Sequence, residues 1–114
     1  MLELYWKDIN NEEYHIASLD KINNLYVLDI IKENLKKATK KGCMGIGNID
    51  LLKNHYESYT LFDFFSQRIP SKEKYNIDLI LEKYGLTEYN DMKLLEVTKG
   101  KSLTDRYYLK QKEV

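Results

Sequence analysis

The first thirty residues alternate between apolar and polar positions. Leu2-Glu3-Leu4-Tyr5-Trp6-Lys7 is rich in strand formers and stops at Asp8-Ile9-Asn10-Asn11. Tyr14-His15-Ile16-Ala17-Ser18-Leu19 alternates more regularly, placing Tyr14, Ile16 and Ser18 on one face. A turn over Asp20-Lys21-Ile22-Asn23-Asn24 leads to a third run, Leu25-Tyr26-Val27-Leu28-Asp29-Ile30. Period-2 runs broken by Asn and Asp clusters predict an antiparallel three-strand meander. At Ile31 the period changes. Ile31, Leu35 and Ala38 fall at i, i+4 and i+7, and lysines occupy 32, 36, 37, 40 and 41. That spacing predicts a helix ending at Gly42, followed by a glycine-rich extended piece or tight turn over Cys43-Met44-Gly45-Ile46-Gly47.

From Tyr59 onward the pattern predicts helices. Leu61, Phe62, Phe64, Phe65 and Ile69 define a strongly apolar helix that must stop before Pro70. Ser71 is placed to cap a second, with Tyr75, Leu79, Ile80 and Tyr84 along its inner face and Gly85 at its end. Asn90 or Asp91 caps a third, carrying Met92, Leu94, Leu95 and Val97 and ending at Gly100. Tyr107-Tyr108-Leu109 reads as a last short strand before a charged tail. The expected fold is α+β: a small antiparallel N-terminal sheet, a layer of three or four helices and a returning C-terminal strand. All of it forms a single domain over residues 1–114.

Composition narrows the chemistry. Lys plus Arg equals Asp plus Glu, 18 of each, so neither polyanion capture nor acidic mimicry is written into the totals. One cysteine, Cys43, allows no intramolecular disulfide and suits a reducing compartment. No segment reads as a signal peptide or membrane span, so a cytoplasmic protein of a bacterial host cell is expected. With two histidines, one cysteine and no ligand motif, neither a metal nor another cofactor is expected. Cys43 with His15 or His55 is the one nucleophile arrangement on offer, and a lone cysteine ordinarily behaves as a small buried hydrophobe. Gly42–Gly47 follows a helix rather than a strand and lacks the closing Gly-Lys-Ser of a phosphate loop. Lys32, Lys36 and Lys40 form an i, i+4 stripe with Lys37 and Lys41 beside it. Together they are candidate nucleic-acid contacts, weighed against a solvated helix face favourably placed near a helix C-terminus. Of the ten tyrosines, Tyr5, Tyr26, Tyr75 and Tyr84 fall on core-facing positions, while Tyr56, Tyr59, Tyr89 and one of Tyr107 or Tyr108 fall at element edges suited to binding.

Leu61-Phe62-Asp63-Phe64-Phe65-Ser66-Gln67-Arg68-Ile69-Pro70, then Ile77 to Gly85-Leu86, Asp91, Leu94-Leu95 and Gly100, resembles the N-terminal subdomain of HipA-family proteins. Tyr14–Leu19 and Tyr26-Val27-Leu28 stand where that family has its second and third strands. The leader of some bacterial HIRAN-containing proteins is also similar, through Tyr56-Glu57-Ser58 and Leu61-Phe62-Asp63-Phe64-Phe65. The likeness spans roughly residues 2–110 and rests on packing and capping positions, so it speaks to fold more than to function. Thr104-Asp105 replaces the family's Gly-Ala pair, and the kinase body that follows in the family does not follow within these 114 residues. The resemblance implies a free-standing, HipS-like regulator: a non-catalytic domain that binds and restrains a HipA-type kinase, as an antitoxin does. A phage or mobile-element inhibitor of a bacterial defence enzyme, anti-CRISPR-like, is the alternative for a small non-enzymatic binding domain. Tyr56, Tyr59, Arg68, Tyr89 and Tyr108 are the candidate protein contacts.

Overall fold

The computed structural model describes residues 1–112; the last two residues of the charged tail, 113–114, lie outside the described residues. The expected meander forms as β1 (Leu2–Lys7), β2 (Glu13–Ile22) and β3 (Leu25–Ile30). Asp8 turns the chain between β1 and β2: its Oδ1 accepts from the Asn10 and Glu12 amides at 2.8 and 3.0 Å. Between β2 and β3 only Asn23 and Asn24 are left outside the ladder, both at positive φ. That is the two-residue, primed-type hairpin for which asparagine is well suited. The strands therefore run further into the Asp20–Ile22 turn segment than the side-chain pattern suggests.

Helix α1 (Lys32–Lys40) buries Leu35 and Ala38 as its period requires, and Gly42 follows at φ 114°. The chain then crosses a loop into β4 (His55–Ser58), a short strand that pairs with β3 and that the sequence pattern does not predict. Its four residues carry a single strong strand former, Tyr56.

The helical layer departs from expectation in two places. Leu61–Ile69 is not one helix. Phe62 is extended, and α2 (Asp63–Ser66) is a single turn whose amides close back on the Phe62 carbonyl. Breaking the helix lets Phe65 reach full burial while Phe64 packs edge-on against both Phe65 and Tyr107. The second helix is displaced as well. Ser71 accepts from the Glu73 amide in an isolated turn, and α3 (Ile77–Lys83) begins six residues later. Its inward stripe is Ile77, Ile80, Leu81 and Tyr84, whereas Tyr75 and Leu79 are 96% and 68% exposed. Ser71 precedes a turn rather than the helix, so the apolar period counted from it is out of register. Helix α4 (Asp91–Thr98) matches expectation: Asn90 Oδ1 accepts from the Lys93 amide, and Leu94 and Leu95 are buried. Lys99 and Gly100, both at positive φ, end it. Strand β5 (Tyr107–Gln111) then returns alongside β1.

The result is a five-stranded antiparallel sheet of order β4-β3-β2-β1-β5, α+β in class. The meander's outer strands are both covered, β3 by β4 and β1 by β5, so the edges open for pairing are β4 and β5 rather than those of the meander. One face carries Leu2, Leu4, Trp6, Ala17, Leu19, Leu28 and Leu109 into the core with the helices. A register shift opposite Leu4 and Tyr5 inserts Ile16 as an extra residue and moves Tyr14 to the core side of β2. The other face presents Tyr5, His15, Asp29, His55, Glu57, Tyr108 and Lys110.

The helices are fixed to this sheet by Arg68, only 8% exposed. Its guanidinium lies 4.3 and 5.1 Å from the Phe64 and Tyr107 ring centres. It donates to the Gly100 carbonyl at 3.0 Å and, through both terminal nitrogens, to Asp105 at 3.1 and 2.5 Å. Truncating either member of such a pair strands the other charge in a poorly solvated site. Arg68→Ala is therefore expected to lower unfolding free energy by about 3 kcal/mol or more, and Asp105→Ala to lower it comparably; urea denaturation of both variants checks this.

A second expectation concerns β4. His55 is gripped between Asp29 (Nδ1 to Oδ1, 2.6 Å) and Glu57 (Nε2 to Oε2, 3.0 Å). Glu57 first and Asp29 second raise its pKa above the ordinary 6.5. The imidazolium is thus favoured in the fold. Its stabilisation of the β3–β4 pairing is full below pH 6.5 and is lost as pH rises through the raised value. Amide protection factors at Tyr56 and Ser58 should fall across that window, and His55→Gln should remove the pH dependence.

Candidate protein-interaction surface

The most prominent apolar concavity is built on α1. Lys32, Lys36 and Lys40 run along one side of the helix, and Leu35 and Thr39 lie beside them. The loop after α1 brings Leu51 against this face, forming a groove of about 530 Å³ with an apolar floor and a lysine rim. Two contacts fix the loop. Lys32 Nζ donates to the Leu52 carbonyl at 3.0 Å, and the Leu52 amide bonds Asp50 Oδ1 at 2.9 Å. The Leu52 side chain itself is 82% exposed, and Met44 at the loop's other end is 90% exposed. The helix is oriented from the sheet: Asn34 Nδ2 donates to the His15 carbonyl at 2.9 Å, and the Ile31 amide to that of the bulged Ile16 at 2.9 Å.

The lysines singled out from the sequence are all exposed, but they are not alike. Lys32, Lys36 and Lys40 rim the groove; Lys37 faces Glu33 one turn earlier at 3.9 Å; Lys41 caps the helix. The stripe of Lys32, Lys36 and Lys40 is unbroken and runs beside an apolar strip, and no aromatic ring is among the described residues lining the groove for a base to stack on.

The candidate protein contacts fall in four different settings. Tyr59 is 81% exposed, beyond the end of β4. Tyr56 is half-buried against the core, its hydroxyl accepting from the Lys53 amide at 3.3 Å. Tyr89 is half-buried and donates to the Pro70 carbonyl at 2.8 Å. Arg68 is the internal tie described above, with little surface to offer a partner. Tyr108 lies on the open face of the sheet, stacked on Tyr5 at 5.6 Å, and Tyr5 stacks in turn on His15 at 5.0 Å. Lys110 sits over Tyr5 at 4.4 Å and ion-pairs with Glu13 at 2.8 Å. These residues do not converge on one patch. Leu51 and Leu52, which do shape a patch, fall outside every element that the pattern predicts. Their signal is an adjacent leucine pair between Asp50 and Lys53 belonging to no helix or strand.

Cys43 is buried in the core with Sγ 3.6 Å from the Tyr107 hydroxyl, whereas His15 and His55 lie on the opposite face of the sheet. Among the described residues there is no group of three or more His, Cys, Asp or Glu that could hold a metal ion. No helix among them is long and apolar enough to cross a membrane. A scan against protein-family models, a search of curated proteins and a search of solved structures each return no match to this chain.

Proposed function

We propose that this chain is a non-catalytic protein-binding regulator that docks a partner on the α1 groove. The observation that carries this is the pairing of an apolar floor, Leu35 and Leu51, with a rim of three lysines. Such a groove suits a segment of complementary chemistry: an amphipathic helix whose apolar residues enter the trough and whose flanking Asp or Glu residues meet Lys32, Lys36 and Lys40. Leu52 and Met44 extend the apolar area at the loop side. The resemblance to the HipA N-terminal subdomain makes a HipA-type kinase of the native host the first partner to test, with this chain restraining it as a HipS-like antitoxin would.

Mixing the purified chain with that kinase should give a stable complex in size-exclusion chromatography and lowered kinase activity. Leu51→Glu and the Lys36→Glu/Lys40→Glu pair should each weaken binding tenfold or more while leaving the chain folded by circular dichroism, because both sites are on the surface. A complex indifferent to these variants, or no complex with the kinase, would sink the proposal.

A further inference from the structure

A second concavity, remote from the groove on the sheet, lies where the end of β1 and the start of β5 meet the Lys99-Gly100-Lys101-Ser102 loop. It measures about 460 Å³ and its lining includes Lys7, Lys99, Lys101 and Arg106. Two carboxylates face it, and both are already engaged: Asp105 by Arg68, Glu13 by Lys110 at 2.8 Å. Among the described residues, no carboxylate comes within ion-pair range of Lys7, Lys99, Lys101 or Arg106. In a chain whose charges sum to zero, four uncompensated cations around one hollow are a segregated arrangement.

One of the four is held rigidly. Arg106 donates to the Lys7 and Asp8 carbonyls at 2.8 and 2.7 Å and to Asn11 Oδ1 at 2.9 Å, so its charge is fixed at the rim before any ligand arrives. Lys7 extends over the Tyr108 ring, 5.2 Å from its centre. Hydroxyls are present too. Ser102 lines the hollow, and the buried Tyr108 hydroxyl, beside Glu13, makes no hydrogen bond of good geometry.

We infer that this hollow binds a phosphomonoester, with Lys7, Lys99, Lys101 and Arg106 supplying the charge. Several cations plus hydroxyl donors around a compact space match the two negative charges and three terminal oxygens of such a group better than a single carboxylate. A nucleic-acid strand fits less well. The neighbouring rings of His15, Tyr5 and Tyr108 stack on one another across strands, and Lys110 and Lys7 lie over Tyr5 and Tyr108, so ring faces for base stacking are taken. This inference stands independently of the α1 groove.

The test is a titration of the isotopically labelled chain, followed by amide shifts, with inorganic phosphate, O-phosphoserine, adenosine monophosphate and, at matched ionic strength, chloride. Saturable shifts at Lys7, Lys99 to Ser102 and Arg106 to Tyr108 are expected by about 10 mM phosphate, which nearly fills a millimolar site. Lys99→Ala/Lys101→Ala should weaken them at least tenfold with dispersion unchanged, and Lys36→Ala should leave them intact. Tighter binding of phosphoserine would identify a phosphorylated side chain as the source, and tighter binding of the nucleotide a free metabolite; both support the site. Equal shifts with chloride, shifts centred on α1, or preferential binding of a single-stranded oligonucleotide would overturn it.

Discussion

A guanidinium group inside a small domain is costly unless every direction around it is answered, and the surroundings of Arg68 answer nearly all of them. Two aromatic rings flank it, a carbonyl from the end of α4 takes one donor, and Asp105 takes a bidentate grip just before β5 begins. Three separate stretches of chain must be in place at once for this to hold. Gly100 fits the same junction because it adopts positive φ and because a Cβ there would come within 3.0 Å of Leu109. The tie also reaches the α1 groove. Tyr107, stacked under Arg68, donates its hydroxyl to the Gly45 carbonyl at 2.5 Å, and Gly45 lies against Leu51, which walls the groove beside α1. Fixing β5 therefore also fixes the loop that shapes the α1 surface.

The sheet leaves little of its open face for a partner. Across β2, β1 and β5 the upright stack of His15, Tyr5 and Tyr108 is covered by Lys110, paired with Glu13, and by Lys7, and across β3 and β4 the Asp29–His55–Glu57 cluster does the same. Polar side chains answering one another on a strand face give stability and solubility but little unmet demand. Among the described residues, cations without an ion-paired acid stand together instead on α1, at Lys32, Lys36 and Lys40, and around the Lys99–Ser102 loop, at Lys7, Lys99, Lys101 and Arg106. A net charge of zero conceals this, because totals do not say where on the surface the charges stand.

What the sequence made legible follows from physical range. Local periodicity exposed β1, β2, β3, α1, α4 and β5, whose apolar spacing is repeated enough to read. It did not expose β4, which is four residues long and gains its place only by pairing with β3. The Leu61–Ile69 segment misled because its aromatics serve a core approached from several directions, which a straight helix could not deliver. Arg68 reads in sequence as a surface contact because its partner stands 37 residues away. At the candidate surface, the lysine stripe was legible and the leucines that turn it into a groove were not.

The stripe itself carries the functional argument furthest. Like charges at i and i+4 on a helix work against it by about 0.2–0.5 kcal/mol per pair, and Lys32, Lys36 and Lys40 make two such pairs. The helix is nine residues long and has no side-chain N-cap bond, so it is poorly placed to absorb that cost. A single Glu at position 36 would turn both repulsions into attractions. Helix-dipole attraction favours Lys40, in the last turn, but not Lys32, in the first. Helix propensity, the dipole at Lys40 and the Lys32 bond to the Leu52 carbonyl account for part of this stripe beside Leu51, and leave Lys36, in mid-helix between two lysines, without a gain to the fold. A partner that supplies carboxylates to the rim and apolar side chains to the floor would relieve the repulsion and cover the leucine in the same event.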